Sequence, residues 1–96
     1  MKHLVKIYEE TKKLNSDLTQ YEFSTDFLNK KKSYFASLKQ RNLYPSYKTL
    51  VQLSHTYSNL ANAVKNEPKL QTQYNSFIKL KTDAEKLAEQ KLYENI

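Results

Sequence analysis

The chain has 96 residues, with 16 Lys and Arg against 10 Asp and Glu for a formal net charge of +6, two prolines, and neither cysteine nor glycine. That length suits one domain, or one small domain with an appended helix. The missing cysteines exclude a disulfide framework or thiolate metal site, and the missing glycines exclude glycine-rich phosphate loops and dinucleotide fingerprints.

Apolar periodicity and punctuation divide the chain into five helical segments. The first runs from about Lys2 to Leu14 or Leu18, because Leu4, Ile7, Tyr8, Thr11 and Leu14 recur at the spacing of one helical face. Asn15-Ser16-Asp17 either ends that helix or restarts it. A short second helix, roughly Gln20 to Leu28, has Phe23, Phe27 and Leu28 as its apolar edge, with Glu22 and Asp26 near its positive end. Asn29-Lys30-Lys31-Lys32 has no apolar residue and reads as a tight turn. In a chain without glycine, Asn29 is the residue best able to take a left-handed conformation there.

Ser33 is the expected N-cap of a third helix, Ser33 to Arg41, with Phe35 and Leu38 buried and Tyr34 at the edge. A linker through Asn42, Leu43 and Tyr44 leads to Pro45. Ser46 then caps a fourth helix whose apolar stripe is Tyr47, Leu50, Leu53, Tyr57, Leu60, Ala61 and Val64. Lys65 to Pro68 breaks it, with Pro68 suited to the first turn of a fifth helix that reaches about Tyr93. No segment alternates long enough to argue a strand, so the expected fold is all-α: a helix-turn-helix domain over 1–66, then a long C-terminal helix over 67–96 that closes the core or dimerises.

The charge is unevenly placed. Residues 27–66 contain no acid, yet hold Lys30, Lys31, Lys32, Lys39, Arg41, Lys48 and Lys65, while the flanking segments are close to neutral. A solvated helical surface usually mixes signs, since opposite charges three or four residues apart support each other. A block of one sign points to an anionic partner.

Two short helices joined by a tight turn are a geometry that places the second helix in a DNA major groove. The stretch Ser33 to Leu50 resembles the recognition helix, linker and following helix of the lambda repressor/Cro-like helix-turn-helix superfamily. Phe35 and Leu38 match its two buried apolar residues, Pro45-Ser46 its helix-opening pair, and Leu50 and Leu53 the leucines of the next helix. Upstream, Phe23-Ser24 followed by Phe27 resembles the Leu-Ala…Leu of the family's second helix. The resemblance spans about residues 21–60. It departs from the family in lacking the turn glycine, in a turn one residue longer, and in the long C-terminal helix.

The resemblance implies a small sequence-specific regulator of phage or plasmid type that binds double-stranded DNA. It places Lys30, Lys31 and Lys32 against phosphates, and Ser33, Ala36, Ser37 and Gln40 outward toward base edges, with Tyr34 beside them. Arg41, Tyr44 and Lys48 would follow on the backbone. The alternatives are a helical protein-interaction module with a basic face, and an RNA-binding or nucleoid-associated protein.

Other constellations carry less. His3 and His55 lie far apart with no cysteine between them, which argues against zinc. Glu22 and Asp26 could hold Mg²⁺, but complementing the helix N-terminus is the simpler role. No serine has a base and orienting acid in a recognisable pattern. The expectation is a protein that is not an enzyme, with no cofactor, no metal and no small-molecule substrate. No apolar run approaches the ~20 residues of a membrane span, and Met1–Glu10 has no uncharged stretch of signal-peptide length, so no membrane partner and a cytoplasmic location, on the nucleoid when bound to DNA, are expected. Finally, Leu70, Phe77, Leu80, Ala84 and Leu87 approximate a heptad seam, with Tyr74, Ile78 and Leu92 beside it. That stripe either packs on the first helix or joins two chains in a homodimer.

Overall fold

The computed structural model describes residues 1–94 and is all-helical. Helix α1 (Lys2–Leu14) buries Leu4, Ile7, Tyr8 and Thr11 on one face. It ends at the earlier of the two expected points. Asn15 turns extended, and its side-chain oxygen accepts the Asp17 amide at 3.2 Å, so the local polar group replaces the next helical bond. The Lys12 ammonium donates to the carbonyls of Ser16 at 3.2 Å and Leu18 at 2.7 Å, which holds the loop down while Leu18 enters the core.

Helix α2 (Gln20–Glu22) opens with a capping box. The Thr19 hydroxyl accepts the Glu22 amide at 3.1 Å, and the Glu22 carboxylate accepts the Thr19 amide at 3.3 Å. The Glu22 carboxylate therefore does serve the helix start. α2 continues as a π-helical turn, Phe23–Phe27, a wider coil that holds one more residue per hydrogen-bonded ring than an α-helix. Phe23, Ser24 and Leu28 are buried from it, with Phe27 half-buried.

Helix α3 (Tyr34–Arg41) follows the turn and buries Phe35 and Leu38. Among the described residues φ is positive at two places, Asn29 (56°) and Asn42 (52°), so asparagine takes both left-handed positions that glycine would fill elsewhere. At Asn42 the Leu43 amide bonds to the Leu38 carbonyl at 2.9 Å and the Asn42 amide to the Lys39 carbonyl at 3.2 Å, a Schellman closure of α3.

Helix α4 (Tyr47–Val64) starts at the expected cap, the Ser46 hydroxyl accepting the Thr49 amide at 3.3 Å. A 3₁₀ turn, Pro68–Leu70, leads into α5 (Gln71–Glu94), with Pro68 in the first turn as its fixed φ favours. One cluster of buried residues draws on α1, the π turn after α2, α3, α4 and α5, centred on Leu4, Phe23, Phe35, Leu50, Leu53, Tyr57 and Ala84. Its aromatic heart is Tyr8, Phe23 and Phe35, with ring centroids 4.9–5.2 Å apart, a separation at which tilted and edge-on pairs attract. Inside α1 and α4, Thr11 and Tyr57 share a buried hydrogen bond of 2.6 Å, and burial pushes the Tyr57 phenol far above its ordinary pKa.

Two expectations about burial change. Tyr47, expected in the α4 stripe, is 42% exposed, because it sits in the first turn beyond the reach of the core. Of the C-terminal stripe, Leu80, Ala84 and Leu87 are buried within the chain itself, and Leu70 and Phe77 are half-buried. α5 packs most heavily on α4 and next on α1. The stripe expected as a possible homodimer seam is thus the surface that closes the core, and three of its five residues are not open to a second chain.

Candidate nucleic-acid interface

The geometry of α3 is set from outside it. An eight-residue helix is too short to hold itself in water, where isolated helices under about 12–15 residues are marginal. Its start illustrates the point. Ser33 occupies the N-cap position but its hydroxyl makes no capping bond, contrary to the sequence expectation. Instead the fully buried Ser24 hydroxyl, from the preceding π turn, accepts the Phe35 amide at 2.9 Å while donating to the Gln20 carbonyl at 3.0 Å. Phe35 is the second residue of α3, whose amide a local cap would ordinarily take. The cap is supplied by α2, and the Ser33 hydroxyl is left facing solvent. Together with the edge-on Phe23–Phe35 pair, this bond fixes α3 against α2.

With Phe35 and Leu38 turned inward, the opposite face of α3 presents Ser33, Ala36, Ser37 and Gln40, all exposed, at spacings of three, one and three residues. These are the four residues expected to face outward. Lys30, Lys31, Lys32, Arg41 and Lys48 are also exposed around it. The ion pairs among the described residues join Lys13 to Glu10, Lys79 to Asp83 and Lys81 to Glu85, all within α1 or α5. The cations of the central segment are left without carboxylate partners there. Lys30 and Lys48 come together on one open groove, between the turn and the start of α4.

Three residues sit differently from expectation or add to it. Tyr34 is half-buried against the core rather than displayed, with the Lys30 ammonium 5.8 Å from its ring centroid. Burial raises its phenol pKa, partly offset by the Thr49 side chain. Tyr44 is half-buried too, and its hydroxyl accepts the His3 amide at 3.3 Å, so it ties the linker to the start of α1. Lys39 lies over the Phe35 ring, 5.4 Å from its centroid. Gln52 and His55 line the groove with Lys30 and Lys48. They stand four and seven residues beyond Lys48, the helical spacing by which the sequence could have shown them. Lys65, at the far end of α4, is about 25 Å along the helix from Lys48 and belongs to a different surface.

Among the described residues, no group of three His, Cys, Asp or Glu could hold a metal ion, and no helix is long and apolar enough to cross a membrane. What the arrangement offers chemically is contact: short polar side chains on an exposed helix face, flanked by cations that have no carboxylate partner among the described residues. A small all-helical protein presenting one such face is the class that fold and site define. The chain belongs to a family of unknown function, DUF6626, whose model matches residues 4–95. No curated protein and no solved structure matches it.

Proposed function

We propose that this protein binds double-stranded DNA in a sequence-specific manner, as a small transcriptional regulator, with α3 in the major groove. The observation that carries the reading is the set of cations the fold leaves around the outward face of α3. Five cations of the acid-free block, Lys30, Lys31, Lys32, Arg41 and Lys48, lie exposed around the outward face of α3, and among the described residues none of them has a carboxylate partner. The likeness of residues 21–60 to lambda repressor/Cro-like proteins supports it. In this reading Lys30, Lys31, Lys32 and Lys48 supply affinity through phosphates, and Ser33, Ser37 and Gln40 read base edges, Gln40 being suited to adenine.

Selection of bound duplexes from a random pool tests this directly. A recovered consensus, bound roughly 10³-fold or more tightly than random duplex, is the expected result. Ser37→Glu should abolish that binding while leaving helicity by circular dichroism unchanged, since a carboxylate would face phosphates and base edges. Replacing Lys31 and Lys32 by alanine should weaken consensus and random DNA together, and reduce the salt slope by roughly one unit per lost phosphate contact. Equal affinity for all duplexes would move the reading to a nucleoid-associated role, and preference for RNA to the RNA-binding one. No nucleic-acid binding at all would leave the basic face to an acidic protein.

A further inference from the structure

His55 stands between two grooves of unlike charge. On one side it lines the groove of about 440 Å³ between the turn at Asn29–Lys30 and α4, where its charged neighbours are Lys30 and Lys48 and no acid contributes among the described residues. On the other it lines the groove between α4 and α5, whose charged members are Glu85 and Glu89. Glu85 is already engaged by Lys81 at 3.6 Å. The His55 side chain is exposed, as are those of Lys30, Lys48 and Gln52.

The first groove is held in shape from beneath. Leu28 and Thr49, which both line it, are buried. The Thr56 hydroxyl donates to the Phe27 carbonyl at 3.3 Å, which ties α4 to the π turn. Along the α4 wall, Lys48, Gln52 and His55 recur at spacings of four and three residues, one stripe about 10 Å long. Such a stripe, faced by Lys30, suits an extended anion better than a compact one. A neutral imidazole can give that anion one hydrogen bond, whereas the imidazolium gives a stronger, charge-assisted one.

We propose that this groove seats the sugar-phosphate backbone of the bound duplex, with His55 as a phosphate contact beyond Lys30 and Lys48 that engages fully when protonated, so that binding tightens as the pH falls. This rests on the DNA-binding reading, and adds to it a contact residue on α4 and a dependence on pH. Histidine is the side chain whose charge ordinarily changes between about pH 5 and 8. A phosphate beside it favours the imidazolium, and by reciprocity the imidazolium favours the phosphate by the same factor. Glu85 and Glu89 face His55 from the other groove whether or not DNA is bound, so the change on binding comes from the lysine side.

The test is the affinity of the full chain for a short duplex of random sequence, measured at constant salt from about pH 8 down to about pH 6. Random sequence suffices because phosphate contacts carry no base information. Wild-type affinity should rise roughly three- to tenfold toward the acid end. Its salt slope should steepen by up to about one unit, the mark of one more neutralised phosphate. His55→Gln should match the wild type at the alkaline end and fall behind at the acid end, with circular dichroism unchanged because the site is exposed. His55→Lys should bind at the alkaline end as tightly as the wild type does at the acid end. His3→Gln, on α1 and outside this groove, should leave the wild-type profile intact. Wild-type binding indifferent to pH, or a pH dependence that His55→Gln keeps, would overturn the role of His55 and leave the DNA-binding reading standing. A chain that binds no duplex at any of these pH values would overturn both.

Discussion

Helices α3 and α5 reach their places by opposite means. α5 has 24 residues and lays Leu80, Ala84, Leu87 and Ala88 along its neighbours, so its length and its own stripe hold it. α3 has eight residues and two buried side chains, and it depends on a cap from α2, an aromatic contact and a left-handed asparagine at its end. A helix of eight residues with two buried side chains is too short to stabilise itself. The short helix is therefore positioned by its neighbours, and the long one helps to build the core against which they stand.

Breaking the contrast at its centre should have the largest effect. Phe35→Ala removes a fully buried ring that touches Tyr8 and Phe23, and should cost about 3–5 kcal/mol, enough to unfold so small a domain in a urea or thermal titration. Ser24→Ala leaves the Phe35 amide buried without its acceptor, at a cost of roughly 1–3 kcal/mol. Hydrogen exchange should show that loss in α3 and the turn before it, while the α4–α5 amides keep protection close to their global value. Equal loss in α5 would show that the two helices are not stabilised separately. Asn42→Ala should cost about 1–2 kcal/mol and Asn42→Gly much less, because alanine resists the left-handed conformation and glycine does not.

The smallest effect near neutral pH lies in the buried phenol. Tyr57 has a folded pKa raised above its ordinary 10.0, chiefly by burial, so its neutral form is favoured in the native state. That contribution is complete below pH 10 and is lost as the pH rises, because the unfolded phenol ionises while the folded one does not. Stability should fall by up to about 1.4 kcal/mol per pH unit from this group above its unfolded pKa. Tyr57→Phe should flatten that alkaline slope at a neutral-pH cost of about 1 kcal/mol for the lost bond to Thr11.

What was legible in the sequence was local. The periodicity of α1 and α4, the Ser46 cap, the Pro68 start and the left-handed Asn29 all depend on residues a turn or less apart, and the structure has them where the pattern put them. The outward face of α3 followed from placing Phe35 and Leu38 inside. What escaped was long-range. The Ser24 bond spans 11 positions and the Tyr44 bond 41, and neither leaves a mark in local spacing. Ser33 looked like the cap of α3 because serine before a helix ordinarily is one, and only the approach of α2 displaced it. The left-handed Asn42 was open to inference, since Lys39 and Arg41 mark a last helical turn and asparagine follows it. The C-terminal stripe had two readings because a helix face suited to a partner chain is equally suited to the chain's own α4.

The Ser24 hydroxyl has a dynamic corollary. It is bonded to α2 through the Gln20 carbonyl and to α3 through the Phe35 amide, so it works as a rivet between two short levers. Neither lever can tilt without straining a buried bond that water cannot replace. Ser24→Ala should accordingly raise backbone mobility across the Lys30–Ser33 bend, read as NMR relaxation, more than elsewhere in the chain. The outward residues of α3 are then aimed by a hydroxyl on another helix.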